Sequence, residues 1–361
     1  MKILQRYVVR ELWLPFLMSF LTLNFIFMGG YLVKAANFIV GRGVPFTDTL
    51  YVLLLALPDM VSYTVPTSLL AAVLIVFGNL AQNNEIRAIK ASGIHPGTIM
   101  LPIFLIGLGA SVLMFVFNDQ VTTNAGFTLR RTTKQMLIRH PQAVIEPGRF
   151  VKLSNNIIFL AKEMHGDKMK GIVAYETEAE DKPVRTIMAE RGEIVSNASR
   201  TEVKIRLYDG SVSDAEDSRV QSIQFKTYEF PTVAQEDVQM MQKKMMDRTL
   251  AELLVRLDQP EGQDPQERRE IWSGFHQRIA FAFGCFIFVF IGMPVAVLVH
   301  RGEIVLSFAL AMTTASFYYV LFVGAKTVAL QTAVPAFIAF WVPNTLLLLL
   351  GTRLFRRAMA A

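Results

Sequence analysis

Few side chains in this sequence are spaced for bond-making chemistry. His95, His140, His165, His276 and His300 are scattered, and His-Glu-x-x-His, paired Cys-x-x-Cys and Gly-x-Ser-x-Gly are all absent. No catalytic or metal-binding constellation emerges. No Gly-Lys-Ser/Thr occurs, so the chain has no P-loop. The single cysteine, Cys285, lies in an apolar run, which excludes an intrachain disulfide and fits a small buried hydrophobe. What remains is recognition chemistry in one polar stretch, Leu80–Pro96, LAQNNEIRAIKASGIHP. A simple turn needs about four residues, and this stretch has room for about three helical turns. As a helix it places Ala81, Glu85, Ala88 and Ser92 roughly on one face, with Ile86, Ile89 and Gly93 beside them. Small residues allow close approach, the isoleucines offer anchors, and Gly93 and Pro96 stop the helix.

The surroundings of that stretch read as membrane. The 361 residues are 52% hydrophobic and 18% charged, too apolar for a soluble protein of this size. Net charge is +6, but residues 118–275 carry 23 Lys+Arg against 25 Asp+Glu, whereas the rest carries 13 against 5. The basic excess therefore belongs to the flanks of the apolar runs, and nucleic-acid binding is not implied.

Residues 1–11 carry Lys2, Arg6 and Arg10 at i, i+4 and i+8. They read either as a short amphipathic helix on an anionic leaflet or as an ordinary basic flank. Leu12–Val33 is too long for a signal-peptide core and long enough to span as an uncleaved helix. Leu50–Gly78 exceeds one span and contains Pro58, Asp59 and Pro66, which predicts a kinked or tilted helix. Asp59 in an apolar run is a functional candidate by default. Following Pro58 in an overlong segment, it is read in preference as capping a new helical piece near the surface. Thr98–Phe117 is a third span, and Ile279–Val299, Ile304–Ala325 and Ala333–Leu350 are three more.

Between them the pattern changes to period two, as in Val203, Ile205 and Leu207 alternating with Lys204, Arg206 and Tyr208. Strands are expected at Arg149–Leu153, Ile157–Lys162, Lys170–Glu176, Val184–Glu190, Glu202–Tyr208 and Gln221–Tyr228. The expected separators are Ser154-Asn155-Asn156, His165-Gly166-Asp167, Asp209-Gly210 and Asp214–Ser218. Such spacing suggests a sandwich or jelly roll. Thr249-x-x-Glu252 is a capping box, and Asp264-Pro265-x-Glu267 is a second helix start that runs without a breaker toward the fourth span. The fold class is a polytopic α-helical membrane protein of six transmembrane helices with an inserted all-β, jellyroll-like domain. Residues 1–117 form an N-terminal membrane half with an interfacial helix and three spans. Residues 118–275 form the β-domain with linker helices, and residues 276–361 form a C-terminal half with three spans.

Six spans put both termini on one side. Short segments there contain Lys2, Arg6, Arg10, Arg87, Lys90, Arg301, Arg353, Arg356 and Arg357, against Lys34, Arg42 and Lys326 opposite, with Arg278 at the outer edge of the fourth span. The positive-inside rule places the termini and Leu80–Pro96 in the cytoplasm and the β-domain outside. Apart from Asp59 the spans hold almost no ionisable groups, which disfavours an ion-coupled carrier and favours a partner that hydrolyses nucleotide.

With these residues in view, the chain resembles the permease subunits of the lipopolysaccharide-export ABC transporter, LptF and LptG. Asn84-Glu85-Ile86 followed by Ala91-Ser92-Gly93-Ile94 is similar to the family's Ser/Asn-Glu-Leu/Ile … Ala-Ser/Cys-Gly stretch. Arg6-Tyr7-Val8-Val9-Arg10-Glu11, and the fourth span from Arg278-Ile279 to Met293-Pro294, fit as well. Arg278 and the Met293-Pro294 region lean toward the F-type. The resemblance implies an F/G heterodimer with a paralogous permease, in the cell inner membrane, bound to a dimer of a cytoplasmic ABC ATPase. ATP would be bound by that partner, and no cofactor, metal or catalytic residue is expected on this chain. The pair would pass lipopolysaccharide through the periplasmic jellyroll to a bridge protein of similar jellyrolls.

The resemblance makes Leu80–Pro96 the coupling helix, with Glu85, Ile86, Arg87, Ile89, Ser92 and Gly93 facing or shaping the ATPase contact. It also sets the first and fifth spans beside the lipid entry gate. Lys34 and Lys326, at their outer ends, then become candidates to attract the anionic lipid, with Arg42, Arg130, Arg131 and Lys134 in the same role. The plain alternative is that Lys34 and Lys326 are snorkelling anchors. Two other readings stay open: a mechanotransmission protein that drives a periplasmic event without carrying lipid, and a membrane-anchored binding or sensor protein without an ATPase.

Overall fold

The computed structural model describes residues 2–36, 39, 44–94, 97–139, 145, 147–154, 157–177, 183–196, 202–214, 221–234, 241–258, 264–299, 303–332 and 334–360. In chain order these give helices α1 (Lys2–Ala36), α2 (Phe46–Gln82), α3 (Glu85–Ala91) and α4 (Gly97–Val116), then a π-turn (Phe117–Thr122) that continues into α5 (Thr123–Arg139). Strands β1 (Val151–Ser154), β2 (Ile157–His165), β3 (Lys168–Thr177), β4 (Pro183–Ser196), β5 (Glu202–Asp214) and β6 (Gln221–Ala234) follow. Helices α6 (Leu250–Leu257), α7 (Pro265–Val299), α8 (Ile304–Gln331) and α9 (Ala336–Ala360) complete the chain. Among the described residues, six helical segments are long and apolar enough to cross a membrane: Ile3–Val33, Phe46–Gln82, Gly97–Met136, Pro265–Val299, Ile304–Gln331 and Ala336–Ala358. Two compact units result: Met1–Tyr31 with Leu55–Phe127 and Lys243–Ala361, and Leu32–Leu54 with Thr128–Gln242.

In the first unit, α2 and α7 form the centre. The apolar window of α2 is 83% buried and that of α1 only 11%, so α1 leaves most of its apolar surface outward. Close approach at the centre depends on small residues. A Cβ added at Gly292 of α7 would lie 2.9 Å from Leu70 Cδ1 and 3.1 Å from Val73 Cγ1 of α2. With no solvent to drive helix association inside lipid, such close contacts and interhelical hydrogen bonds hold the bundle. The Tyr318 hydroxyl donates to Asn344 Oδ1 at 3.0 Å, and Asn344 Nδ2 donates to the Ala280 carbonyl at 2.9 Å, joining α8, α9 and α7. The Tyr319 hydroxyl donates to the Tyr63 carbonyl at 2.9 Å, joining α8 to α2.

Two expectations for this unit need correction. Asp59 does not open a new helical piece: α2 runs unbroken through Pro58, Asp59 and Pro66, and Asp59 is an exposed mid-helix residue. The basic N-terminal residues do not form a separate surface helix either. Helix α1 is continuous from Lys2, because nothing between Glu11 and Leu12 breaks it. The two downstream start signals hold. The Thr249 hydroxyl accepts from Glu252 N while Glu252 accepts from Thr249 N, and α7 begins at Pro265.

In the second unit the six strands pair antiparallel in strict chain order, and β1 and β6 also approach each other, so the sheet curls. All six expected strands are present, and most are longer than the alternation suggests. Asp209-Gly210 is not a separator, since β5 passes straight through it. Those residues belong to a crease. The pairing steps over Lys162, Gly171, Glu190, Asp209 and Lys226 in adjacent strands, with left-handed backbone at Gly171 (φ 62°) and Asp209 (φ 52°). At that row the inward set changes parity. Ile187 and Ala189 face the core before it and Ile194 after it; Ile205 and Leu207 before it and Val212 after it. Because β2 to β6 slip together, the register survives and one apolar core, including Phe159, Ile172 and Ile205, spans the bend.

Candidate functional site

The polar stretch between α2 and α3 folds as a tight link. Asn84 takes a left-handed conformation (φ 57°), which Asn tolerates better than most residues. Helix α3 then makes two turns. Gly93 (φ 74°) ends it, with Gly93 N donating to the Lys90 carbonyl and Ile94 N to the Ile89 carbonyl. That bond pair is a Schellman cap, and it requires the left-handed residue that glycine supplies without a steric penalty.

The helix is seated rather than free. Ile86 and Ile89 pack against the core of their own membrane unit, so they anchor α3 inward instead of standing out for a partner. Between Ile86, Lys90, Met100, Pro294, Val297, Phe355 and Ala358 only about 10 Å³ of space is left, hardly enough for one water. Lys90 Nζ donates to the Ala358 carbonyl at 3.3 Å, a cation at the last turn of α9 where helix carbonyls lack partners. Glu85 is half-buried and meets the Tyr7 hydroxyl of α1, while Asn83 Nδ2 reaches its Oε1 at 3.5 Å. The exposed face consists of Arg87, Ala88, Ala91, Ser92 and Gly93. Arg87 is steadied by Asn84 Oδ1 at 3.3 Å and the Ser92 hydroxyl by the Ala88 carbonyl at 2.9 Å.

Of the expected set, then, Arg87, Ser92 and Gly93 are outward, Glu85 is at the edge, and Ile86 and Ile89 are beneath. Ala81, expected on the same face as Ala88, is buried. Sequence reasoning missed Tyr7 and Lys90. Both lie in motifs already singled out, but their partners are remote in the chain and no spacing rule links them.

The basic residues divide between the units. Lys326 on α8 is half-buried, with Nζ 3.8 Å from the Met246 sulfur. Arg130 and Lys134 lie one turn apart on α5 and are half-buried, and Arg131 beside them is exposed. Val44 packs on Met136 with Val52 against them, which sets the start of α2 beside the end of α5. Lys34 lies on α1 with its side chain outside the described set, and Arg42 falls outside the described residues.

Compared with known families, the chain matches the one described as "Lipopolysaccharide export system permease LptF/LptG" over residues 6–357. An uncharacterized protein of Rickettsia prowazekii (strain Madrid E) is 22% identical over 147 residues. That match covers 40% of this chain and 41% of the relative, so the chain spans well under two thirds of the relative's length.

Proposed function

The chain belongs to the lipopolysaccharide export system permease family LptF/LptG, and from that premise we propose that it is a permease subunit of an ATP-driven lipopolysaccharide exporter. It sits in the inner membrane with both termini in the cytoplasm and the β-domain in the periplasm. It pairs with a paralogous permease and docks a cytoplasmic ATPase dimer on the outward face of α3. One observation carries this reading: α3 is a short capped helix wedged without slack against the membrane core while one polar face stays open. A docking element of that kind transmits a push instead of absorbing it, because packed interfaces deform little.

The lipid is first attracted by Lys326 and later passes along the interior of the curled sheet. Each exposed CH₂ of its acyl chains costs about 0.8 kcal/mol in water, so an apolar conduit is needed. Phe159, Ile172, Ile187 and Ile205 are almost wholly buried here, so the curled sheet must part to admit the lipid.

Co-purification from membranes tests the reading. The expected result is recovery of a nucleotide-binding subunit and bound lipopolysaccharide. Glu85→Lys is expected to weaken ATPase association or its coupling while leaving the permease inserted, and normal export by that variant removes the case for Glu85. If Tyr7→Phe alone reproduces the loss, Glu85 works through its own membrane unit rather than by touching the ATPase. Recovery without any nucleotide-binding subunit sinks the reading in favour of a binding or sensor protein. An ATPase present with no lipid cross-linked to the β-domain favours mechanotransmission.

A further inference from the structure

One buried charge pair is assigned to neither candidate site. Asp119 and Arg278 are 159 residues apart, their side chains are only 10% and 11% exposed, and Arg278 Nη1 donates to Asp119 Oδ1 at 3.1 Å. Both groups have further partners. Asp119 Oδ1 also accepts from Leu250 N at 2.8 Å, an amide in the first turn of α6 that has no partner inside the helix. Arg278 Nη2 donates to the carbonyls of Met246, at 3.2 Å, and Arg248. The π-turn at Phe117–Thr122 puts Asp119 there. Its extra residue sends Thr123 N and Oγ1 back to the Asn118 carbonyl, and Asn118 and Asp119 both end up buried. Asn118 Oδ1 accepts from the Ser62 hydroxyl of α2 at 2.6 Å. A second tie lies alongside: Lys243 Nζ bridges Asn124 Oδ1 at 3.3 Å and Glu252 Oε1 at 2.7 Å.

These contacts coincide with a topological feature. After an earlier excursion over Leu32–Leu54, the chain leaves the membrane unit again after Phe127 and re-enters it at Lys243. The residues before the exit (119–124) and after the return (243–252) are therefore bound to each other and to one arginine of α7. An arginine serving only as a headgroup site would keep donors free, whereas this guanidinium directs both terminal nitrogens into the protein.

We propose that Asp119 and Arg278 form a clamp within the membrane unit, binding the chain segments just before and just after the strand-bearing insertion to α7, so that these two segments move together. They are positioning residues for export: they make the segments that lead into and out of the strands move as one with α7 instead of independently. The proposal rests on the exporter reading for its functional consequence but not for its geometry.

The test uses the full chain with its co-purified partners in nanodiscs. Asp119→Ala breaks the clamp. Asp119→Asn is the gentler second variant, keeping the shape and an acceptor for Leu250 N without the charge. Expected outcomes for Asp119→Ala are at least tenfold faster amide exchange over residues 243–250, nucleotide hydrolysis within about twofold of the unsubstituted protein, and lipid delivery to an acceptor reduced at least tenfold. Asp119→Asn falls between. Joining Asn124→Cys to Lys243→Cys with a short bismaleimide in the Asp119→Ala background restores delivery, which a merely destabilised protein does not show. Unchanged exchange at 243–250 overturns the clamp. Faster exchange with full delivery overturns its role in export. If delivery and hydrolysis fall together and the cross-link does not rescue them, the pair is structural only. Should the unsubstituted chain bring down no ATPase, the exporter reading fails, while the exchange measurement still decides the clamp.

Discussion

Gly93 offers a clean perturbation of the α3 surface, because the structure separates backbone strain from crowding. A Cβ built at this residue meets nothing within 4 Å, yet the backbone is left-handed at φ 74°. Gly93→Ala therefore adds no clash and costs only the left-handed conformation, about 1–2 kcal/mol for an ordinary L-residue. The strain is relieved by releasing the two cap bonds to Lys90 and Ile89, which frays the helix end carrying Ser92 on the exposed face proposed for docking. If the docked form needs the intact cap, a cost of that size reduces the competent population, and the apparent affinity for the ATPase, by at most about 5–30-fold. Three substitutions give an ordering that crowding cannot imitate. Gly93→Asn is mildest, since Asn visits the left-handed region; Gly93→Ala is intermediate; Gly93→Val is worst, since β-branching stiffens it further. Titration of purified ATPase onto permease in nanodiscs, with insertion verified separately, reads the series. Equal affinities across all four proteins, or Asn weaker than Ala, refute the reasoning.

Other outcomes follow from the same geometry. Gly292→Leu forces α7 away from Leu70 and Val73 of α2 and is expected to cost about 1–3 kcal/mol by overpacking, read as a lower thermal midpoint in nanodiscs. Lys326→Glu is expected to cut photo-cross-linking of lipopolysaccharide to the C-terminal end of α8 severalfold, while Lys326→Arg retains it. Equal loss in both would mean that packing near Met246, not charge, matters. Burial raises the Glu252 carboxyl, but the Lys243 ammonium and the Thr249 amide outweigh it and hold it below the usual carboxylate range. A group depressed in the folded state stabilises above its unfolded value and loses that contribution as pH falls through the folded one. The thermal-midpoint advantage of the unsubstituted chain over Glu252→Gln should thus be full near pH 6 and shrink below about pH 4; an advantage that grows on acidification contradicts the sign.

The local signals were legible in the amino-acid order because each depends on a few neighbouring residues. Six apolar runs are long enough to span, Thr249 and Glu252 cap α6, Pro265 opens α7, period-two alternation locates six strands, and Gly93 ends α3. Pattern reading reached its limit where the deciding partner is remote. Asp59 reads as a cap because Pro58 precedes it, yet helix–helix packing carries α2 straight through. Asp209-Gly210 reads as a turn, yet pairing on both sides absorbs it into a crease shared by neighbouring strands. Ile86 and Ile89 read as anchors for another protein; only the ends of other helices, closing over them, reveal that they hold α3 to its own membrane unit. Arg278 draws notice in sequence only as the start of the fourth span, and nothing there pairs it with Asp119; the two meet only in the folded chain. Propensity, capping and periodicity act over one or two turns, so the sequence by itself determined the six spans, the six strands and a few capped ends, but not where α2 and most strands stop. Burial of charge, parity across a bent sheet and the inward face of a two-turn helix are set by contacts between residues tens to hundreds of positions apart, and those the tertiary structure alone decided.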